Sequence, residues 1–205
     1  MTKKALFLIP FLFLACSDKS LHKENLTALS WHNRIYNDIQ NTNLDTADDD
    51  FLSLEAEHPA SVYIKTDLLT LFLAHKKVKE YDLALFYLGQ YEKRYATPAE
   101  IPWLEYQKIY LQFLKYDNAY TNQSALLELI AYSKNYLRSF PSSAYAPEVS
   151  TILAKAELTN KYLNDKISKL YKKLDKEKAA KLYETKIPKN SKPPVIPWYK
   201  KLFYW

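Results

Sequence analysis

Lys79-Glu80-Tyr81-Asp82-Leu83-Ala84-Leu85-Phe86-Tyr87-Leu88 carries a small residue, Ala84, four places before a bulky one, Leu88. That spacing puts both on one helix face. The alanine lets a second helix approach closely, and the leucine fills the groove beside it. Upstream, Leu68, Leu71, Phe72 and His75 recur at helical spacing. Downstream, Pro98 stops the pattern, because proline is barred from helix interiors. The stretch therefore predicts a helical hairpin, with helices over 60–78 and 80–96. The same small-bulky pair recurs at Ala47/Phe51, Ala125/Leu129 and Ala179/Tyr183. In the first three cases a proline follows the alanine by 12, 14 and 16 residues, at Pro59, Pro98 and Pro141. Pro59-Ala60-Ser61-Val62-Tyr63 and Pro141-Ser142-Ser143-Ala144-Tyr145 share the pattern Pro-x-Ser-x-Tyr, 82 residues apart, with Pro98 near the midpoint. The implied unit is about 40 residues.

This is the physical logic of a tetratricopeptide (TPR) repeat with long helices. The expected fold is an all-α, TPR-like superhelix of about four hairpins, followed by an extended tail rich in proline and aromatic residues. The helices are expected over 22–41 with 45–58, 60–78 with 80–96, 99–118 with 122–140, and 144–174 with 176–186. In the long helix Leu163, Ile167, Leu170 and Leu174 form an apolar stripe, with Lys161, Asp165, Lys169, Lys172 and Lys173 facing elsewhere. Composition agrees. The 205 residues include 18 Tyr, 9 Phe and 4 Trp, too many for a disordered chain, and one glycine, Gly89. Without glycines neither a P-loop nor a Rossmann phosphate turn can be built, and a turn-rich β-fold is disfavoured.

The N-terminus reads as an address. Lys3 and Lys4 precede an uncharged apolar run from Ala5 to Ala15, too short to span a bilayer but long enough for a secretory h-region. Leu14-Ala15-Cys16-Ser17 resembles a bacterial lipobox, with Phe13 where leucine is usual. Cys16 is the only cysteine, so it forms no intramolecular disulfide. The expected organisation is a signal peptide over 1–15, a lipidated tether over 16–21 with Cys16 acylated, a helical domain over 22–186, and the tail over 187–205. Ser17 after the cysteine favours export to the outer membrane, facing the periplasm. Residues 155–205 hold 14 lysines against 5 acidic groups, a net +9, which leaves −3 for the rest of the chain. A lipid-anchored envelope protein meets no nucleic acid. The basic end therefore suits acidic partner surfaces or anionic head groups.

No arrangement calls for catalysis. Asp48-Asp49-Asp50 could suggest a metal. The simpler reading is a helix start, capped by Asp45 or Thr46, with acids suited to the helix dipole. His22, His32, His58 and His75 have no metal-ligand spacing, and His75, on an apolar stripe, reads as a hydrogen-bonded core or groove residue. No cofactor is implied. The concave face of such a stack binds extended peptides. Tyr63, Asp67, Leu71 and His75 of one hairpin and Trp103, Tyr106 and Tyr110 of the next are placed there by position. In the tail, Trp198, Tyr199 and Phe203 are anchors for the chain's own last helices or for a partner.

The strings Leu54-Glu55-Ala56-Glu57-His58-Pro59-Ala60-Ser61, Tyr81-Asp82-Leu83-Ala84 and Phe140-Pro141-Ser142-Ser143-Ala144-Tyr145, then Ile167-Ser168-Lys169-Leu170-Tyr171, resemble in order and spacing the BamD (YfiO/ComL) family of outer-membrane assembly lipoproteins. The resemblance covers most of residues 16–186. It implies a periplasmic adaptor of the β-barrel assembly machinery, without enzymatic activity. In that family the N-terminal repeats are implicated in recognising C-terminal signals of unfolded outer-membrane proteins. The C-terminal repeats dock on a POTRA domain of the barrel subunit BamA and on smaller lipoproteins. Carried over, the groove lies between Thr27 and Tyr116 and the docking surface between Ala144 and Lys186. Longer members continue with a further repeat. An arginine that some members use against BamA falls near Tyr183, leaving Lys181 or Lys186 as weaker substitutes, since lysine lacks arginine's fork of donors. The alternative expectation is another TPR lipoprotein, such as a secretin pilotin or an envelope scaffold.

Overall fold

The computed structural model describes residues 26–116 and 123–186. Within them the chain forms eight helices: α1 (Ala28–Gln40), α2 (Leu44–Glu57), α3 (Tyr63–Val78), α4 (Tyr81–Tyr95), α5 (Ile101–Lys115), α6 (Gln123–Ser139), α7 (Ala146–Lys173) and α8 (Glu177–Thr185). The all-α hairpin stack expected from the sequence is present; α2 begins one residue before its expected span, and the other helices lie within theirs. The signal peptide, Cys16, the tether and the tail with Trp198, Tyr199 and Phe203 lie outside the described residues. No helix among the described residues is long and apolar enough to cross a membrane.

Two kinds of turn build the stack. Within hairpins, the first helix closes on a left-handed residue: Thr42 (φ 62°), Lys79 (φ 70°) and Asp175 (φ 54°). Each is followed by a backbone N–H reaching five residues back, from Asn43 to Asp38, Glu80 to His75 and Lys176 to Tyr171, all at 2.9 Å. This is the Schellman closure, usually made with glycine. A chain with one glycine accepts the cost of a side chain at all three positions. Between hairpins, Pro-x-Ser-x-Tyr forms the same turn twice. Ser61 Oγ accepts from Tyr63 N–H and Ser143 Oγ from Tyr145 N–H, both at 3.2 Å. Before α5 the Glu100 carboxylate does this work instead, accepting from Thr97 N–H and hydroxyl at 2.8 and 2.7 Å.

The alanine pairs sit where helices meet. Ala47 and Ala84 are fully buried, with Phe51 and Leu88 beside them; Ala125 is half-buried beside buried Leu129. In α8 the register differs by one: Ala180, not Ala179, is the buried small residue. The expected stripe of α7 also needs correction. Leu163 is buried, but Leu170 and Leu174 are each 54% exposed. The buried side of this helix runs instead through Lys161, Asn164 and Ser168. Asn164 accepts a hydrogen bond from Gln123 of α6 at 2.9 Å, so α6 draws a polar face inward.

Two apolar clusters form the core. Trp31, Phe51, Leu68, Phe72, Leu88 and Tyr91 anchor the first; Leu129, Tyr136, Val149, Ile152 and Leu163 belong to the second. Helix α5 joins them. Leu104 and Leu111, seven apart on one face, enter the first cluster, while Ile109 enters the second. Helix α6 packs more extensively on α7 than on α5, its partner in the expected hairpin.

Candidate peptide and partner surfaces

The residues assigned to the groove of the second hairpin fall into the packing between helices. Leu71 and His75 have no exposed surface and Asp67 is 2% exposed, so these three do not line a groove. His75 sits between two carboxylates, with Nε2 2.9 Å from Asp48 Oδ1 and Nδ1 2.6 Å from Glu80 Oε2. Both ring nitrogens must donate to satisfy these acceptors, which requires the imidazolium form. Burial opposes that charge most strongly, but the hydrogen bonds and charges of Asp48 and Glu80 together outweigh it, and the pKa lies above the ordinary histidine value. Tyr87 stacks on the ring at 5.3 Å and donates to the same Asp48 oxygen at 2.6 Å. Burial and that bond keep its phenol protonated. Asp50, fully buried, takes Arg34 Nε at 2.8 Å. The Asp48-Asp49-Asp50 run is therefore neither a metal site nor a capped helix start. The N-cap is Asn43, so Asp48 and Asp50 lie beyond the first turn and clamp α2 to α1, α3 and α4.

A second histidine, His32 of α1, reaches Asp67 of α3, with Nδ1 2.6 Å from Oδ1. Burial raises the Asp67 pKa, and His32 offsets this only in part. Half-buried Tyr63 stacks on His32 at 4.7 Å.

The residues assigned on α5 are half-buried and come together. Tyr106 stacks on Tyr110 at 5.9 Å and on Tyr145, beside the start of α7, at 4.8 Å with the rings 8° from parallel. Trp103 meets Phe72 of α3 edge-on at 6.2 Å. A cleft of about 640 Å³ opens beside them, lined by Leu69, Tyr91, Glu100, Trp103 and Tyr145 among others. Glu100 is held at a pKa of about 2, first by the Tyr91 hydroxyl at 2.6 Å and then by Thr97, so this edge of the cleft stays anionic.

Two members of this surface carried no assignment in the sequence. Tyr145 occupies in its repeat the place Tyr63 occupies in the other Pro-x-Ser-x-Tyr turn; applying the repeat rule to both would have found it. Lys76, in the last turn of α3, reaches across to α5. Its ammonium donates to Gln107 Oε1 at 2.8 Å and lies 4.8 Å from the Tyr110 ring centroid. Nothing in the local sequence announces that contact, because Lys76 and Gln107 are 31 residues apart.

At the other end, Tyr183 of α8 stacks on Tyr171 of α7 at 5.7 Å, and Lys186 Nζ stands 4.6 Å over the Tyr183 ring. Lys181 Nζ is 4.0 Å from Glu177 Oε2 on an exposed face, a separation that leaves it free to meet another acceptor. Lys172 pairs with Glu184 across the hairpin at 2.5 Å, which raises the lysine pKa. These are two separate surfaces, an aromatic one spanning α3, α5 and the start of α7, and one at α8 where Lys181 and Tyr183 stand with Lys186 just past the helix end.

Residues 26–182 match the YfiO family, described as outer membrane lipoprotein. Over 198 residues the chain is 32% identical to the protein of Helicobacter pylori (strain ATCC 700392 / 26695) named outer membrane protein assembly factor BamD, covering 93% of this chain and 90% of that one. The match favours the assembly-lipoprotein expectation over the secretin pilotin. The chain belongs to the YfiO family of outer membrane lipoproteins.

Proposed function

We propose that this chain is an adaptor of the β-barrel assembly machinery, anchored to the outer membrane through Cys16 and facing the periplasm. The observation that carries the proposal is the half-buried aromatic surface built by α5 with Tyr145, on a chain whose Helicobacter relative is named an assembly factor. The half-buried rings of Trp103, Tyr106, Tyr110 and Tyr145 take an extended segment of an unfolded outer-membrane protein. Aromatic side chains give such a surface contact area at low entropic cost. Lys181 and Tyr183 on α8, with Lys186 just past its end, dock on a POTRA domain of a BamA-like barrel subunit. Trp198, Tyr199 and Phe203 extend that interface, and smaller lipoproteins join it. The adaptor does no chemistry of its own; it works by holding client and barrel subunit together.

Site-specific photo-crosslinking tests the two roles separately. A photoreactive amino acid at Tyr110 should capture nascent outer-membrane proteins. The same group at Lys181 should capture the barrel subunit. Capture of the barrel subunit from Tyr110 and of clients from Lys181 would reverse the assignment, and capture of neither from either position would remove it.

A further inference from the structure

The last turns of α7 leave their leucines uncovered. Leu170 and Leu174, just past the helix end, are each 54% exposed, and Lys166, Lys169 and Lys173 are exposed beside them. The five positions follow the spacing i, i+3, i+4, i+7, i+8, so they share one face on which leucine and lysine alternate. Little of its charge is neutralised. Lys169 pairs with Asp165 at 2.7 Å on an exposed surface, where such a contact contributes little. Lys166 stands 5.4 Å over the Tyr162 ring, and neither it nor Lys173 has a carboxylate within ion-pair distance among the described residues. Asp175 and Glu177 lie beyond the end of α7, and Glu177 Oε2 is 4.0 Å from Lys181 of α8.

We infer that this face of α7 rests on the anionic head groups of a phospholipid bilayer, with Leu170 and Leu174 reaching below the head groups and Lys166, Lys169 and Lys173 held at the phosphates. The argument is one of charge complementarity. A second copy of the chain would bring the same lysines and be repelled. The chain's own residues 187–205 carry Lys189, Lys192, Lys200 and Lys201 and no acidic side chain, so they too are repelled. An acidic protein surface would have to supply an apolar pocket for each leucine between its carboxylates. A bilayer surface satisfies both residue types at one depth, because lysine stems run along apolar surface while their ammonium groups stay at the polar boundary. Such a surface is at hand, since the family is one of outer membrane lipoproteins. The contact leaves Lys181 and Tyr183 of α8 out, and it adds a second membrane attachment that fixes how the α7–α8 hairpin is oriented.

The test uses the full lipoprotein, reconstituted from detergent into preformed vesicles. An environment-sensitive fluorescent amino acid is placed at position 170 in one preparation and, in another, at position 62, where Val62 is 81% exposed at the start of α3. The vesicles are phosphatidylcholine alone, or equal parts of phosphatidylcholine and phosphatidylglycerol, each with a lipid that carries a quencher just below the head group. The probe at position 170 should shift to the blue and be quenched in the anionic vesicles and not in the neutral ones. The probe at position 62 should be unchanged in both. One lysine at an anionic surface changes the ratio of docked to free protein about fivefold, so Lys173→Gln should lower that ratio about fivefold, and Lys166→Gln with Lys173→Gln about 25-fold. Lys173→Arg should retain it. Quenching at position 170 that is equal in the two vesicles would mean insertion without head-group recognition and would overturn the inference. Quenching in neither vesicle, or quenching that survives the double lysine substitution, would overturn it as well. A probe at position 170 that stays unquenched in anionic vesicles but shifts to the blue when the purified barrel subunit is added would assign the face to a protein partner instead.

Discussion

At the scale of single residues, the N-terminal half is held by buried charge as well as by apolar packing. His75 is the centre of that arrangement. Because its pKa is raised above 6.5 in the folded protein, folding takes up a proton, and the stabilisation is fully present below that value. It is lost as pH rises through the folded-state pKa. The melting temperature should therefore fall as the pH is raised from about 6 to about 9. His75→Gln, which cannot titrate, should be less stable at the lower pH and show a flatter profile. An unchanged slope in the variant would assign the pH dependence to other groups. His75 was legible in the sequence as a hydrogen-bonded residue on an apolar stripe. That it is sealed between Asp48 and Glu80 was not, because Asp48 lies 27 residues away on another helix. Leu71 and Asp67 failed as groove residues for a related reason: position in a repeat specifies the helix, but the tilt of that helix decides which of its faces is covered.

At the scale of elements, what the sequence specified best was the hairpin rhythm. Alanine spacing and proline punctuation are local, and they located the helices along the chain but not that α6 packs more on α7 than on α5. The register of α8 and the stripe of α7 were misjudged because their neighbours decide them. Gln123 on α6 makes a polar side of α7 the buried one, which no periodicity of α7 reveals. Gly89 lies within α4, and a methyl group added there meets nothing within 4 Å. Gly89→Ala should stabilise the protein by about 0.5–1 kcal/mol by removing the entropic penalty of a helical glycine. Chemical denaturation measures this directly, and a loss of stability would mean that α4 needs the missing side chain. Helix α5 is the sensitive element, since it enters both clusters. Leu111→Ala removes a fully buried side chain from the first cluster and should cost roughly 2–5 kcal/mol. A cost below about 1 kcal/mol would indicate that the site collapses around the cavity and that α5 is not a rigid junction.

At the scale of the whole molecule, α5 joins the two apolar clusters of the core, and the chain belongs to a family of outer membrane lipoproteins. Family and compartment were readable from the lipobox, the repeat strings and their order, because these are short-range signals. The aromatic surface was only half readable: Trp103, Tyr106 and Tyr110 share one helix, but their companions Tyr145 and Lys76 come from α7's approach and from α3. Attachment through Cys16 predicts that Cys16→Ala moves the protein from the membrane pellet to the soluble fraction after cell lysis. Continued sedimentation with outer membranes would assign the attachment to protein contacts instead.

The central claim is that this lipoprotein works as part of an assembly machine with a barrel subunit. Its most direct test is to tag the protein internally, solubilise membranes in mild detergent and identify by mass spectrometry what co-purifies. The account predicts a protein with POTRA domains and a transmembrane barrel, at near-stoichiometric amount. Recovery of a secretin, or of no barrel protein, would contradict it.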